Sequence, residues 1–193
     1  MKIIGIKNGN GRELPQQVYL MADSSVIRTN KPFFVPHFAR SFNATPAIAL
    51  HIGRLGKHIA TRFAHRYCDS ISPAVSVSAI GLQEPQVDEK SSALIHSFDG
   101  SLLLGDFIDT ATGLDINEAT VSTIIGSNEL EPRSLSSIDI DYREIISQLS
   151  VYYTLKMGDI IVIELDSGNT ELKPGMTIES QLNQTKQLVI RVK

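Results

Sequence analysis

What most constrains this chain is the length of its apolar segments: they are short, dense in Ile and Val, and broken by turn residues. Segments 2–6, 47–52, 74–80, 119–125, 160–165 and 187–192 read as strands, because branched side chains suit a pleated, half-buried surface. In 74–80, small polar residues alternate with apolar ones (Ala74-Val75-Ser76-Val77-Ser78-Ala79-Ile80), the period of a one-sided strand. Two segments carry a helical period instead. In 139–150, Tyr142, Ile145, Ile146 and Leu149 share one face, with Arg143, Glu144 and Gln148 mostly opposite. Asp139 or Asp141 is placed to cap it. The spacing of Ile59, Phe63 and Tyr67 predicts a second helix over 57–67. Met157-Gly158-Asp159 and Lys173-Pro174-Gly175 each precede a strand, the latter as a type II turn. Residues 82–93 and 126–138 read as surface loops. With no strand–helix–strand alternation, no repeat and no linker, the pattern predicts one β-rich α+β domain and argues against a doubly wound sheet.

Composition narrows the function classes. The 193 residues are 42% apolar and 20% charged, the balance of a soluble globular protein. A net charge of −3 gives no electrostatic reason to expect nucleic acid. There is no run of 18 apolar residues and the apolar N-terminal stretch is too short for a signal peptide, so no membrane partner and a cytoplasmic setting are expected. A lone cysteine, Cys68, excludes an internal disulfide and a cysteine metal cluster. Charge is unevenly placed. Residues 24–68 contain no Asp or Glu, yet hold Arg28, Lys31, Arg40, Arg54, Lys57, Arg62 and Arg66, with His37, His51, His58 and His65. A solvated basic face is the simplest reading, with an anionic ligand or a dimer contact as alternatives.

Individual residues invite sharper readings that plainer ones outweigh. His58 and His65 are seven apart, two turns of a helix, wider than the i, i+4 spacing of a zinc pair. Asp139 and Asp141 read as caps before they read as an acid–base pair. Cys68 has no Cys–His signature and reads as a small buried apolar residue. His96-Ser97-Phe98-Asp99 contains the residue types of a triad, but triad roles are spatial, and Asp99 with Gly100 reads as a turn.

Several segments taken in order carry a family resemblance. Ile145-Ile146-Ser147-Gln148-Leu149-Ser150, followed by Thr154-Leu155-Lys156-Met157-Gly158-Asp159-Ile160-Ile161, is similar to "IISxLS…TLxPGDII" of the fumarylacetoacetate hydrolase family. Leu172-Lys173-Pro174-Gly175 resembles its "LxPGD" turn, and Gly53-Arg54-Leu55-Gly56-Lys57 its "IGKxGK" hairpin. Phe63-Ala64-His65-Arg66-Tyr67 looks like the helix that follows. Ser97-Phe98-Asp99-Gly100 with Leu104-Gly105 resembles its "FD…IG" segment. The matches cover roughly residues 31–193. The resemblance implies a mixed β-roll formed by a single domain over 1–193, with 1–30 a shortened, divergent N-terminal segment. It also implies a homodimer, a divalent cation (Mg, Mn or Ca) held by carboxylates, and chemistry on short oxo-acids.

The residues that would carry that chemistry are absent. Counted from the hairpin, the family's paired metal carboxylates fall on Thr45 and Ala47, and the third falls on Ser76. The family lysine before "FD" falls near His96, and the ligand-contacting "TGTP" turn falls on Ile163-Glu164-Leu165-Asp166. Residues 7–17 contain no His to match the family's N-terminal His/Glu element. Thr45, Ala47, Ser76, His96 and Glu164 therefore mark a degenerate site location, with no catalytic, cofactor or metal residue assigned and no cofactor expected. The sequence reads as a non-catalytic binding or structural homodimer with a possible small anionic ligand. The alternative is an active hydrolase, isomerase or decarboxylase that recruits ligands such as Asp99, Asp106, Asp109, Glu164 or Asp166.

Overall fold

The computed structural model describes residues 1–7, 17–83, 93–165 and 167–193. Its strands are β1 (Ile3–Lys7), β2 (Gln17–Met21), β3 (Val26–Arg28), β4 (Ala39–Ile52), β5 (Cys68–Leu82), β6 (Leu102–Leu104) and β7 (Ile108–Asp109). They continue with β8 (Val121–Ile125), β9 (Asn128–Glu129), β10 (Ile160–Glu164), β11 (Thr170–Glu171), β12 (Thr177–Leu182) and β13 (Thr185–Arg191). The α-helices are α1 (Thr61–Ala64) and α2 (Tyr142–Tyr152). The expectation of a mainly β protein with few helices is met.

A nine-stranded sheet runs β2-β1-β10-β4-β5-β6-β3, with β11 added on β4 and β7 on β5. A four-stranded sheet runs β13-β12-β8-β9. The long antiparallel pair β4 and β5 is the spine. Because side chains alternate across a strand, even-numbered β4 residues and odd-numbered β5 residues point one way. Ile48, Leu50, Ile52 and Ile71 meet the buried stripe of α2 (Tyr142, Ile145, Ile146, Leu149). Further along, Phe42, Ala44, Val75 and Val77 meet Ile178, Leu188 and Ile190 of the small sheet. Each such buried side chain contributes about 1.5–3 kcal/mol. The opposite face of the spine carries small residues, Ala47, Ala49 and Ala74, beside Ile3, Val162 and Leu102. That small-residue face holds the site.

Of the strands in the sequence reading, 47–52 is the C-terminal end of a 14-residue strand and 74–80 the inner part of a 15-residue one. Asp141 caps α2, its carboxylate accepting from the Arg143 N–H at 2.9 Å. Asp139 instead sits at φ 56°, just after the 3-10 turn Ser136–Ile138. The helix expected over 57–67 shrinks to Thr61–Ala64. Tertiary pairing decides this. Gly56 bridges Leu155, the His58 N–H reaches the Ser150 carbonyl at 3.0 Å, and the Ile59 N–H reaches the Ser150 hydroxyl at 2.7 Å. Those bonds hold 56–59 against the end of α2 and leave His58 at φ 52°. Most of the loop expected at 82–93 falls in 84–92, outside the described residues.

Candidate functional site

The register sets the site. Thr45 pairs with Ser76 across β4 and β5, and Ala47 pairs with Ala74 on one side and Glu164 on the other. Directly paired residues point to the same face, so Thr45, Ala47, Ser76 and Glu164 share the small-residue side. Tyr19, from the edge strand β2, lies over this face. It is opposite Gly5 in the register, and a Cβ on Gly5 would come within 2.3 Å of the Tyr19 ring. Glycine at position 5 lets the ring lie flat across β1. The Tyr19 hydroxyl then donates to Glu164 Oε1 at 3.1 Å and lies 3.3 Å from the Ser76 hydroxyl. His96 closes the other side, stacked on Tyr19 with ring centroids 4.7 Å apart.

This cluster is buried, and burial governs its protonation. Tyr19, Ser76, His96 and Glu164 are all less than a tenth exposed. Burial pushes the Glu164 carboxyl above the usual range, against the pull of the Ser76 hydroxyl, the Lys7 charge and the Tyr19 hydroxyl. Burial, then the neighbouring Glu164, pushes the Tyr19 phenol up. Burial, then the Lys7 charge, lowers His96 to about 4, so its ring is neutral at pH 7. Its Nδ1 is buried and has no hydrogen-bond partner among the described residues. Glu164 also opens outward. With Lys7, Asn43, Thr45, Ser78 and Asn169 it lines a cleft of about 320 Å³. Charge, amide and hydroxyl groups dominate that lining.

All five positions marked in the sequence thus lie on or beside one patch. Tyr19, Lys7 and Gly5 were missed, although a glycine inside an apolar strand is a recognised sign of close approach. Among the described residues, the recruited ligands of the alternative reading have other partners or surroundings. Asp99 accepts from the Ser24 hydroxyl at 2.7 Å, and Asp109 from the Ala111 N–H at 2.7 Å in a turn. Asp106 is exposed, with its N–H on the Gln187 carbonyl. Asp166 lies outside the described residues. His51 pairs with Asp69 at 2.6 Å, and Cys68 is buried with its thiol pushed up to about 12, first by burial and then by Asp69.

Residues 6–193 match the family model described as "Fumarylacetoacetate (FAA) hydrolase C-terminal". The chain belongs to the fumarylacetoacetate hydrolase family. The mitochondrial oxaloacetate tautomerase of Caenorhabditis elegans is 20% identical over 174 residues, 89% of this chain and 80% of that one. A crystal structure of 2-hydroxyhepta-2,4-diene-1,7-dioate isomerase from Mycobacterium marinum superposes with a TM-score of 0.86 at 19% identity, covering 99% of this chain and 73% of that one. Fumarylpyruvate hydrolase from Pseudomonas aeruginosa, in complex with Mn2+ and pyruvate, gives a TM-score of 0.85 at 15% identity, covering 99% of this chain and 88% of that one. Hydrolases, isomerases and a tautomerase are thus among the proteins that share this fold or sequence.

The fumarylacetoacetate hydrolase resemblance implies a divalent cation, and the donor set here does not suit one. A hard cation needs several anionic oxygens. Thr45 and Ser76 offer neutral hydroxyls, and Ala47 offers a methyl. Glu164 supplies one carboxyl, which burial favours in its protonated form and which already accepts from Tyr19. No group of three or more His, Cys, Asp or Glu that could hold a metal ion occurs among the described residues.

Proposed function

We propose that this member of the fumarylacetoacetate hydrolase family binds a small organic anion in the Lys7–Glu164 cleft without a divalent cation, and does not carry out the family's metal-assisted chemistry. The observation that carries this reading is the Tyr19 hydroxyl, held between Ser76 and Glu164. Carboxylates are absent at 45, 47 and 76, and a neutral phenol takes up the hydrogen-bonding capacity that remains. Lys7 supplies the positive charge at the cleft, and the amides of Asn43 and Asn169 supply donors for carboxylate oxygens. Two relatives, an oxaloacetate tautomerase and a fumarylpyruvate hydrolase held with pyruvate, point to short oxo-acids as the ligand class. We further propose a homodimer, on the family resemblance, which light scattering would test.

One observation favours a second reading. Glu164 is a buried carboxyl with a raised pKa beside the cleft, the environment of a general acid or base. Oxaloacetate and pyruvate offered in the presence of chelator separate the two. A melting-temperature rise without conversion of oxaloacetate supports the binding protein. Conversion that Glu164→Gln abolishes supports a metal-free enzyme, and conversion that appears only on adding Mn2+ overturns both.

A further inference from the structure

We infer that the face formed by the 54–58 segment, α1 and the C-terminal end of α2 docks on an anionic lipid surface. This does not rest on the cleft reading. The fold gathers here three pieces that are separate in sequence. Gly56 bridges Leu155, Lys57 Nζ donates to the Val151 carbonyl at 2.9 Å, and the Gly158 N–H donates to the Ile52 carbonyl at 2.8 Å. Large apolar side chains project from this face: Leu55 at 65% exposure, Tyr152 at 65%, Met157 at 74% and Val151 at 50%. Phe63 joins them, with the guanidinium groups of Arg62 and Arg66 over its ring at 4.7 and 5.0 Å.

Five exposed cations surround them: Arg54, Lys57, Arg62, Arg66 and Lys156. None has a carboxylate partner among the described residues, whereas Lys2, Arg133, Arg143 and Lys186 do. A group of acidic side chains gathers at the far end of the same helix, while Asp69, beside Gly53, is paired with His51. Glu118, Asp139, Asp141 and Glu144 line a hollow at the N-terminal end of α2, roughly 16 Å along the axis for its 11 residues. Charge is therefore polarised between the two ends of α2, and an anionic surface attracts one end and repels the other.

Protruding side chains at turns and helix ends enter a lipid interface without needing a partner of matching shape. A symmetric contact with a second copy would set five cations against themselves. The sequence expectation of no membrane partner rests on the lack of a spanning segment. Among the described residues no helix is long and apolar enough to cross a membrane, and surface docking needs none.

Co-sedimentation tests this with vesicles of phosphatidylcholine alone and with about 30% phosphatidylserine. The expected result is binding to the anionic vesicles, weak binding to the neutral ones, and loss of binding in high salt. Lys57→Glu with Arg66→Glu, and separately Leu55→Ser with Met157→Ser, should each lower affinity about tenfold or more, with melting temperatures confirming folded protein. The salt titration uses the unaltered protein and needs no variant to fold. Equal binding to both vesicle types, no binding to either, or salt-independent binding overturns the inference. So does a change of oligomeric state in the variants, which would make this face a contact between copies.

Discussion

Replacing Gly5 with Ala should displace Tyr19 and with it the hydrogen bonding of the cleft floor. A Cβ at position 5 would lie 2.3 Å from Tyr19 Cε2 and Cζ and 2.8 Å from its hydroxyl oxygen. The ring has little room to give, with His96 stacked on it at 4.7 Å and the hydroxyl tied to Glu164 and Ser76. Overpacking of this kind costs about 1–3 kcal/mol. Pulling the hydroxyl from two buried partners adds about 1–3 kcal/mol. A destabilisation of roughly 2–6 kcal/mol is expected for Gly5→Ala, read as the shift in urea unfolding followed by circular dichroism. The cycle with Tyr19→Ala makes the test specific. Gly5 has no positive φ, so once the ring is gone the added methyl fits. Gly5→Ala should then be neutral or stabilising by about 0.4–1 kcal/mol, through the unfolded chain. A coupling of about 2 kcal/mol or more follows. If Gly5→Ala costs the same in both backgrounds, Tyr19 is not held where the structure places it.

Two further outcomes follow from the buried titratable groups. Glu164 has its folded-state pKa raised from an ordinary 4.5, so its contribution to stability is fully present below 4.5 and is lost as pH rises through the folded value. Unfolding free energy measured against pH for wild type minus Glu164→Gln should fall with rising pH above 4.5, and a flat difference would contradict the burial argument. His96 acts in the opposite sense, its contribution present above 6.5 and lost as pH falls toward about 4, which is why the difference is taken with His96 intact. Cys68, buried with its thiol pushed up to about 12, should be inert to a thiol reagent in the native protein and reactive in urea. Fast native labelling would mean that the structure packed around it opens.

The strands were legible because the Ile-rich apolar segments at 3–6, 48–52 and 160–163 need no tertiary help to be recognised. The N-terminal extension of β4 was not, because Asn43, Ala44 and Pro46 have poor strand character and pair because β5 and β11 lie beside them. The 57–67 period misled because hydrogen bonds to Ser150 outweigh an i, i+4 pattern in so short a segment. Positions 45, 47, 76 and 164 were marked by the family resemblance, and the strand register brings them onto one face whatever residues occupy them. The occupant of that face was not legible. Tyr19 comes from an edge strand with no motif, and its role depends on a glycine one strand away. The paired sheets and the charge separation along α2 were likewise invisible until the chain was folded.

Whether the cleft takes a divalent cation decides whether this chain has kept the family's metal chemistry. Chelator-treated protein titrated with Mn2+ and then Mg2+ by calorimetry measures this directly. The expected result is no binding heat at millimolar metal and no rise in melting temperature. Micromolar binding with a stoichiometry near one would contradict it, since Thr45, Ala47 and Ser76 could not then describe the site.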